Sequence, residues 1–131
     1  MKFARIVFIL AGIWGVLVIA PLYFMRDWIG SQTPPAVTHP EFYYGFVTVT
    51  LMWQIAFFLI ARDPARYRAF IIPPTIAKLG YAAFVVVLHL NGEVPGSQLL
   101  FAAVDSLFAV LFLIAFYRIG AGTENHHLRR E

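Results

Sequence analysis

The 131-residue chain contains no cysteine, and only 13% of its residues are charged. Without cysteine the chain can form no disulfide, use no thiol and ligate no iron–sulfur cluster, and Zn²⁺ would have to bind through histidines and carboxylates. Average soluble domains contain about 25% charged residues. The low charge content therefore argues against an ordinary water-soluble domain.

Apolar residues make up 60% of the chain, and the mean hydropathy is +0.74. They are concentrated in four runs, roughly at 3–25, 42–61, 69–90 and 99–117. Each run has the ~20 residues that a helix needs to cross a ~30 Å hydrocarbon layer, and short connections make neighbouring helices antiparallel. The sequence thus predicts an all-α, polytopic membrane protein, a single up-down-up-down bundle of four transmembrane helices with a short tail at 118–131.

Lysine and arginine are distributed unevenly about these runs. Arg26 lies alone on one predicted side and Lys78 lies within the third run, whereas eight lie on the other side: Lys2, Arg5, Arg62, Arg66, Arg68, Arg118, Arg129 and Arg130. Positively charged residues are retained in the cytoplasm, so both termini are expected there. The first run is longer than a signal-peptide core and is expected to remain as a helix. Because the basic residues lie at span ends rather than in one patch, we expect no nucleic-acid partner.

A few polar residues interrupt the apolar spans. Lys78 lies ~15 Å along the third helix from Arg68, and a charge at that depth costs at least ~2.5–3.5 kcal/mol. Asp105 lies ~12 Å along the fourth helix from its end on the predicted outer side of the membrane. The long side chain of Lys78 can reach that depth, so we expect Lys78 and Asp105 to be partners. Gln54, Trp53 and Tyr81 fall in the same middle zone. These five are the candidate ligand-binding residues, either as a small polar pocket or as an interhelical hydrogen-bond network that fixes the packing.

Three local patterns predict how the helices begin. Thr38 and Glu41 have the spacing of a capping box around His39-Pro40. Asp63 is placed to cap a short turn at Pro64. The pair at 73–74 is Pro-Pro, which removes two amide donors, so the third helix should bend or start afresh there.

The histidines do not form a metal or haem pattern. His39 and His89 lie near the predicted outer surface, and His39 precedes a proline rather than projecting from a helix, whereas haem ligation needs fixed inward geometry. His126 and His127 belong to the tail. No Ser-His-Asp set, HExxH, P-loop or GxGxxG element occurs, so we expect no catalytic residue, no metal and no cofactor.

Two short motifs resemble segments of known proteins. Thr38 to Phe46, Thr-His-Pro-Glu-Phe-Tyr-Tyr-Gly-Phe, and Arg62 to Arg68, Arg-Asp-Pro-Ala-Arg-Tyr-Arg, look like those of small bacterial membrane proteins of uncharacterised activity. More distantly, the layout from Phe3 to Tyr117 is similar to DoxX-like four-helix proteins. The resemblance implies the bacterial inner membrane and transfers no site residue.

Two classes of function remain open. In the first, the protein is a non-enzymatic accessory or structural subunit whose partners are the lipid bilayer and a larger membrane complex or further copies of itself. In the second, it binds or transforms a lipid, quinone or other amphiphile in an intramembrane pocket around Lys78 and Asp105. The absence of a catalytic motif favours the first class.

Overall fold

The computed structural model of the chain describes residues 1–127, with side chains for residues 1–122. The α-helices are α1 (Lys2–Ile19), α2 (Arg26–Gln32), α3 (Pro40–Arg62), α4 (Ile72–Leu90) and α5 (Gln98–His127), with 3₁₀ turns at Ala20–Phe24 and Arg68–Ile71. There is no strand within residues 1–127. Four continuous helical stretches are long and apolar enough to cross a membrane, Lys2–Phe24, Pro40–Arg62, Arg68–Leu90 and Gln98–Gly122. The all-helical prediction with four spans is confirmed at this level.

Three element boundaries differ from the sequence prediction. The first span changes to 3₁₀ geometry at Ala20, because Pro21 cannot donate the α-helical hydrogen bond and its ring crowds the preceding turn. The two-turn helix α2 occupies a segment predicted as loop. Helix α5 continues past Tyr117 to His127, so the predicted tail begins as helix. The remaining tail residues, Arg129 and Arg130 among them, lie outside the described residues.

Two of the three predictions about how helices begin are confirmed. The Arg66 amide donates to Asp63 Oδ1 at 3.2 Å, which confirms the predicted cap. Helix α4 starts at Ile72, so the two prolines fall in its first turn, where amide donors are not needed. The capping box is wrong: α3 begins at Pro40 with His39 as N-cap and no side-chain cap. Glu41 instead lies 3.6 Å from His39 Nδ1.

Helix α1 is central to the packing, contacting α3 on one side and α5 on the other, while α4 packs on α5. Helices α3 and α4 do not pack along each other. Two glycines of α1 let α3 approach closely: a Cβ at Gly12 would lie 2.7 Å from the Phe58 ring, and a Cβ at Gly15 would overlap the side chain of Gln54. Small residues are commonly used in this way where membrane helices meet.

Three packed aromatic rings form the centre of the main core. Phe8 stacks on Phe112 with ring centroids 4.5 Å apart, and Phe57 meets Phe112 edge-on at 5.2 Å. The surrounding buried residues come from α1, α3, α5 and the turn that leads into α4; they are Ala4, Val7, Ala11, Ile60, Ala61, Ile71, Ala115 and Ile119. We call the end of the molecule that contains this core, around Phe8, Phe57 and Phe112, the base. A separate, smaller cluster, Ala82, Val85 and Ala102, joins only α4 and α5.

Arg68 fastens the start of the third span to α5. Its Nε donates to the carbonyl oxygen of Phe116 at 3.0 Å, and its guanidinium lies 4.0 Å from the centroid of the Phe116 ring. Gly120 makes room for this arrangement, because a Cβ there would lie 2.5 Å from Arg68 Nη2. Beyond the base, α4 depends on α5 alone for packing.

Candidate functional site

Lys78 and Asp105 form an ion pair between α4 and α5. Lys78 Nζ donates to Asp105 Oδ1 at 2.5 Å, and the two side chains are 15% and 22% exposed. The predicted pairing is therefore present. Lys78 lies ~15 Å along its span from Arg68 and ~18 Å from Leu90, close to the middle. In a chain that spans a membrane, a lone charge at that depth would be expensive, and pairing with the opposite charge offsets part of that cost.

The pair leaves part of the lysine ammonium free. Lys78 Nζ carries three donors, and within residues 1–122 Asp105 is its one hydrogen-bonding side chain. The ammonium also lies 5.7 Å from the centroid of the Phe108 ring, within the range of a cation–π contact. A polar group arriving from outside the chain would thus find a donor already held in position.

Tyr81 extends this polar face by one turn. It lies three residues after Lys78, on the same side of α4, and within electrostatic range of Asp105. Its side chain is 37% exposed, and its hydroxyl takes part in no hydrogen bond with the described side chains or backbone. We call Lys78, Tyr81 and Asp105 the polar triad. It presents an ammonium, a phenol and a carboxylate on one surface.

The other two candidates lie elsewhere. Gln54 Nε2 donates to the Thr50 carbonyl of its own helix at 2.7 Å, and the buried side chain packs against Gly15 of α1. The Trp53 ring lies 6.5 Å from that of Phe57, against the core of the base. The expectation that all five residues line one pocket is not met, because equal depth does not place two side chains on facing surfaces. Binding of a ligand at the polar triad stays a prediction.

An open groove runs between α4 and α5 on the face adjacent to the polar triad. It encloses about 560 Å³ and is lined by Leu79, Ala82, Ala83, Val86, Leu99, Ala102, Ala103 and Ser106. The one hydroxyl in it is satisfied, since Ser106 donates to the Ala102 carbonyl at 2.8 Å. Gly80 of α4 lies at no close contact, because a Cβ there would have no neighbouring atom within 4 Å.

A second hollow, of about 300 Å³, lies beside α2 and is lined by Arg26, Asp27, Gly30, Ser31, Ala36 and Val37. Its two charged residues are paired, Arg26 Nε donating to Asp27 Oδ1 at 2.9 Å. This hydrogen bond and the charge of Asp27 raise the pKa of the Arg26 guanidinium above its usual value. The charges of this hollow thus neutralise each other and leave no free group for a ligand.

The histidines are engaged locally in the described part of the chain. His89 Nδ1 lies 3.1 Å from the Val94 carbonyl oxygen in the turn after α4, and His39 lies beside Glu41. Among the described residues no three histidines or carboxylates converge on a point where a metal ion could sit. The side chains of His126 and His127 lie outside the described residues.

Comparison of the chain with protein-family models, curated proteins and solved structures found no match. The resemblance to DoxX-like proteins therefore remains a prediction.

Proposed function

We propose that the protein is a four-helix integral membrane protein of the bacterial inner membrane, inserted up-down-up-down with both termini in the cytoplasm. The four apolar spans support insertion. Contacts between the first two spans support an antiparallel arrangement. Phe8, early in the first span, contacts Phe57, late in the second, whereas the hydroxyl of Tyr23, late in the first, is hydrogen-bonded to Thr48 at 2.6 Å. The Lys/Arg excess at one set of span ends supports the orientation.

Within that membrane the protein acts as a non-enzymatic accessory subunit that packs against a partner membrane protein. The observation that carries this role is the incomplete coverage of the polar triad near the middle of the bilayer. Polar groups left without partners in hydrocarbon cost several kcal/mol each. Tyr81 is 37% exposed and the Lys78 side chain 15% exposed. Within residues 1–122 neither the Tyr81 hydroxyl nor the remaining Lys78 donors have a hydrogen-bond partner, so a partner helix bearing polar side chains would satisfy them.

A second candidate rests on the same three side chains. A lipid, quinone or other amphiphile could place a carbonyl or hydroxyl against the Lys78 ammonium and the Tyr81 phenol. Its apolar tail would then lie on the exposed surface of α4, where Phe84 is 71% exposed. This alternative predicts a small molecule, rather than a helix, at the polar triad.

Photo-crosslinking from position 81 in intact cells distinguishes the two. A benzophenone amino acid at Tyr81 should give one discrete protein adduct, and the same group at Leu17, which is 68% exposed on α1, should not. The adduct should be lost when Lys78→Met and Asp105→Ala are introduced together. A mass increase of one lipid or quinone at position 81, on a chain that remains monomeric in mild detergent, would select the alternative. Equal adducts from both positions would refute a specific site.

A further inference from the structure

Three arginines at the base are held over aromatic rings. The guanidinium carbon of Arg66 lies 5.7 Å from the Tyr67 ring centroid, that of Arg68 lies 4.0 Å from Phe116, and that of Arg118 lies 4.7 Å from Phe3. All three distances are within the ~6 Å range of cation–π attraction. Stacking restricts the long side chains before any ligand arrives, so less entropy is lost when a ligand binds.

The same three arginines gather at one end of the molecule. Arg68 bonds the carbonyl of Phe116, two residues before Arg118 on α5. Arg118 in turn reaches Phe3 on α1, and Arg66 is two residues before Arg68 in the turn between α3 and α4. Two separate segments of the chain, the α3–α4 turn and α5, thus bring guanidinium groups to the base.

No carboxylate neutralises these guanidinium groups within residues 1–122. The ion pairs of that region are Arg26 with Asp27, His39 with Glu41 and Lys78 with Asp105. Asp63, the acidic residue nearest in sequence, accepts the backbone amide of Arg66 rather than a guanidinium. Lys2, Arg5 and Arg62 add further positive charge at the same span ends.

We propose that Arg66, Arg68 and Arg118 form a binding site for the phosphate of an anionic phospholipid in the leaflet at the base. Guanidinium donors match phosphate oxygens in pairs. Arg68 donates through Nε to Phe116, and its terminal nitrogens, which pack beside Gly120, make no hydrogen bond within residues 1–122. The three lie at or beside the ends of the spans, which is the depth of lipid headgroups. The site rests on the proposed membrane insertion, but it is independent of the accessory role and of which side of the membrane the base faces.

The test is native mass spectrometry of the full chain in detergent supplied with equal amounts of phosphatidylglycerol and phosphatidylcholine. The wild-type chain should retain phosphatidylglycerol preferentially. Each basic residue near an anionic surface contributes about fivefold in binding. Arg118→Gln should therefore lower the preference about fivefold, and Arg66→Gln with Arg118→Gln should lower it about 25-fold.

Arg26→Gln is the matched control, because Arg26 also lies over a ring, 5.9 Å from Tyr44, but is paired with Asp27 at the opposite end of the first span. It should leave the preference unchanged. If the double variant misfolds, the lipid preference of Arg118→Gln alone tests the proposal, because the Arg118 side chain is exposed on α5 and its replacement should leave the fold intact. Equal retention of both lipids by the wild type, or an equal loss in Arg26→Gln, would overturn the proposal. Displacement of phosphatidylglycerol by equimolar inorganic phosphate would instead identify a free-phosphate site and overturn the lipid assignment.

Discussion

Removing the Asp105 carboxylate leaves the Lys78 ammonium stranded in the middle of the bundle. In the folded protein the two charges meet at 2.5 Å, and their side chains are 15% and 22% exposed. In the proposed membrane-inserted state this exposed part faces hydrocarbon, so solvent and salt do not screen it. We predict that Lys78→Met and Asp105→Ala are each strongly destabilising, and that the double substitution is close to wild type.

The size of the effect follows from the two states being compared. Removing one partner of a buried pair costs about 3–5 kcal/mol, because the remaining charge keeps its desolvation cost without the compensating attraction. Removing both residues eliminates the desolvation cost of the two charges together with the attraction between them. Replacing a buried ion pair by apolar residues is therefore often neutral for stability. The double variant should therefore fall within about 1 kcal/mol of wild type, and the coupling energy should amount to several kcal/mol.

Reversible unfolding in mixed micelles, followed by far-ultraviolet circular dichroism, measures all four members of the cycle. Asp27→Ala serves as control, because it breaks an ion pair whose carboxylate side chain is 88% exposed, and it should cause no measurable change. Strictly additive losses for Lys78→Met and Asp105→Ala would show that the pair does not determine the stability of the α4–α5 unit. Single variants as stable as wild type would refute the burial argument itself.

Two other predictions concern packing and topology. Gly15→Ala should destabilise the protein by about 1–3 kcal/mol in the same assay, because the new methyl group would overlap the buried side chain of Gln54. Gly80→Ala should be neutral or slightly stabilising, because no atom lies within 4 Å of the added methyl group. Equal effects of the two substitutions would contradict the contact between Gly15 and Gln54. A reporter active only in the periplasm should give no signal when fused after Glu131 and a strong signal when inserted in the turn at 91–96, and the reverse pattern would refute the proposed orientation.

Which features could be predicted from the sequence depended on whether one physical requirement decided them. A membrane span requires length and apolarity, and both can be counted along the chain. The pairing of Lys78 with Asp105 followed from a similar necessity, since two opposite charges at adjacent depths in lipid must find each other. Depth alone could not place Gln54, because the direction in which a side chain points depends on helix rotation. That rotation is set by Gly15, which permits α3 to approach α1.

Other features were missed because their signals are weak or shared with many sequences. Arg68 looked like one more basic residue at a span end, and only the combination with Phe116 and Gly120 shows that it fastens the turn to α5. Pro21 was a visible signal for the change to 3₁₀ geometry, but the apolar run continued through it. The apolar run ends at Tyr117 and glycines follow at 120 and 122, which are common helix-end signals, yet α5 continues through both of them.

The distribution of the core explains why the polar triad is the surface at which a partner would matter most. The packed rings of Phe8, Phe57 and Phe112 fix α1, α3 and α5 at the base. Beyond that point the residues that α4 buries are Ala82 and Val85, which face α5, and α4 does not pack along α3. Because α4 packs mainly on this one neighbour, its other faces are left uncovered. Since the polar triad lies on α4 and α5, a partner there would cover the Tyr81 hydroxyl together with an uncovered face of α4.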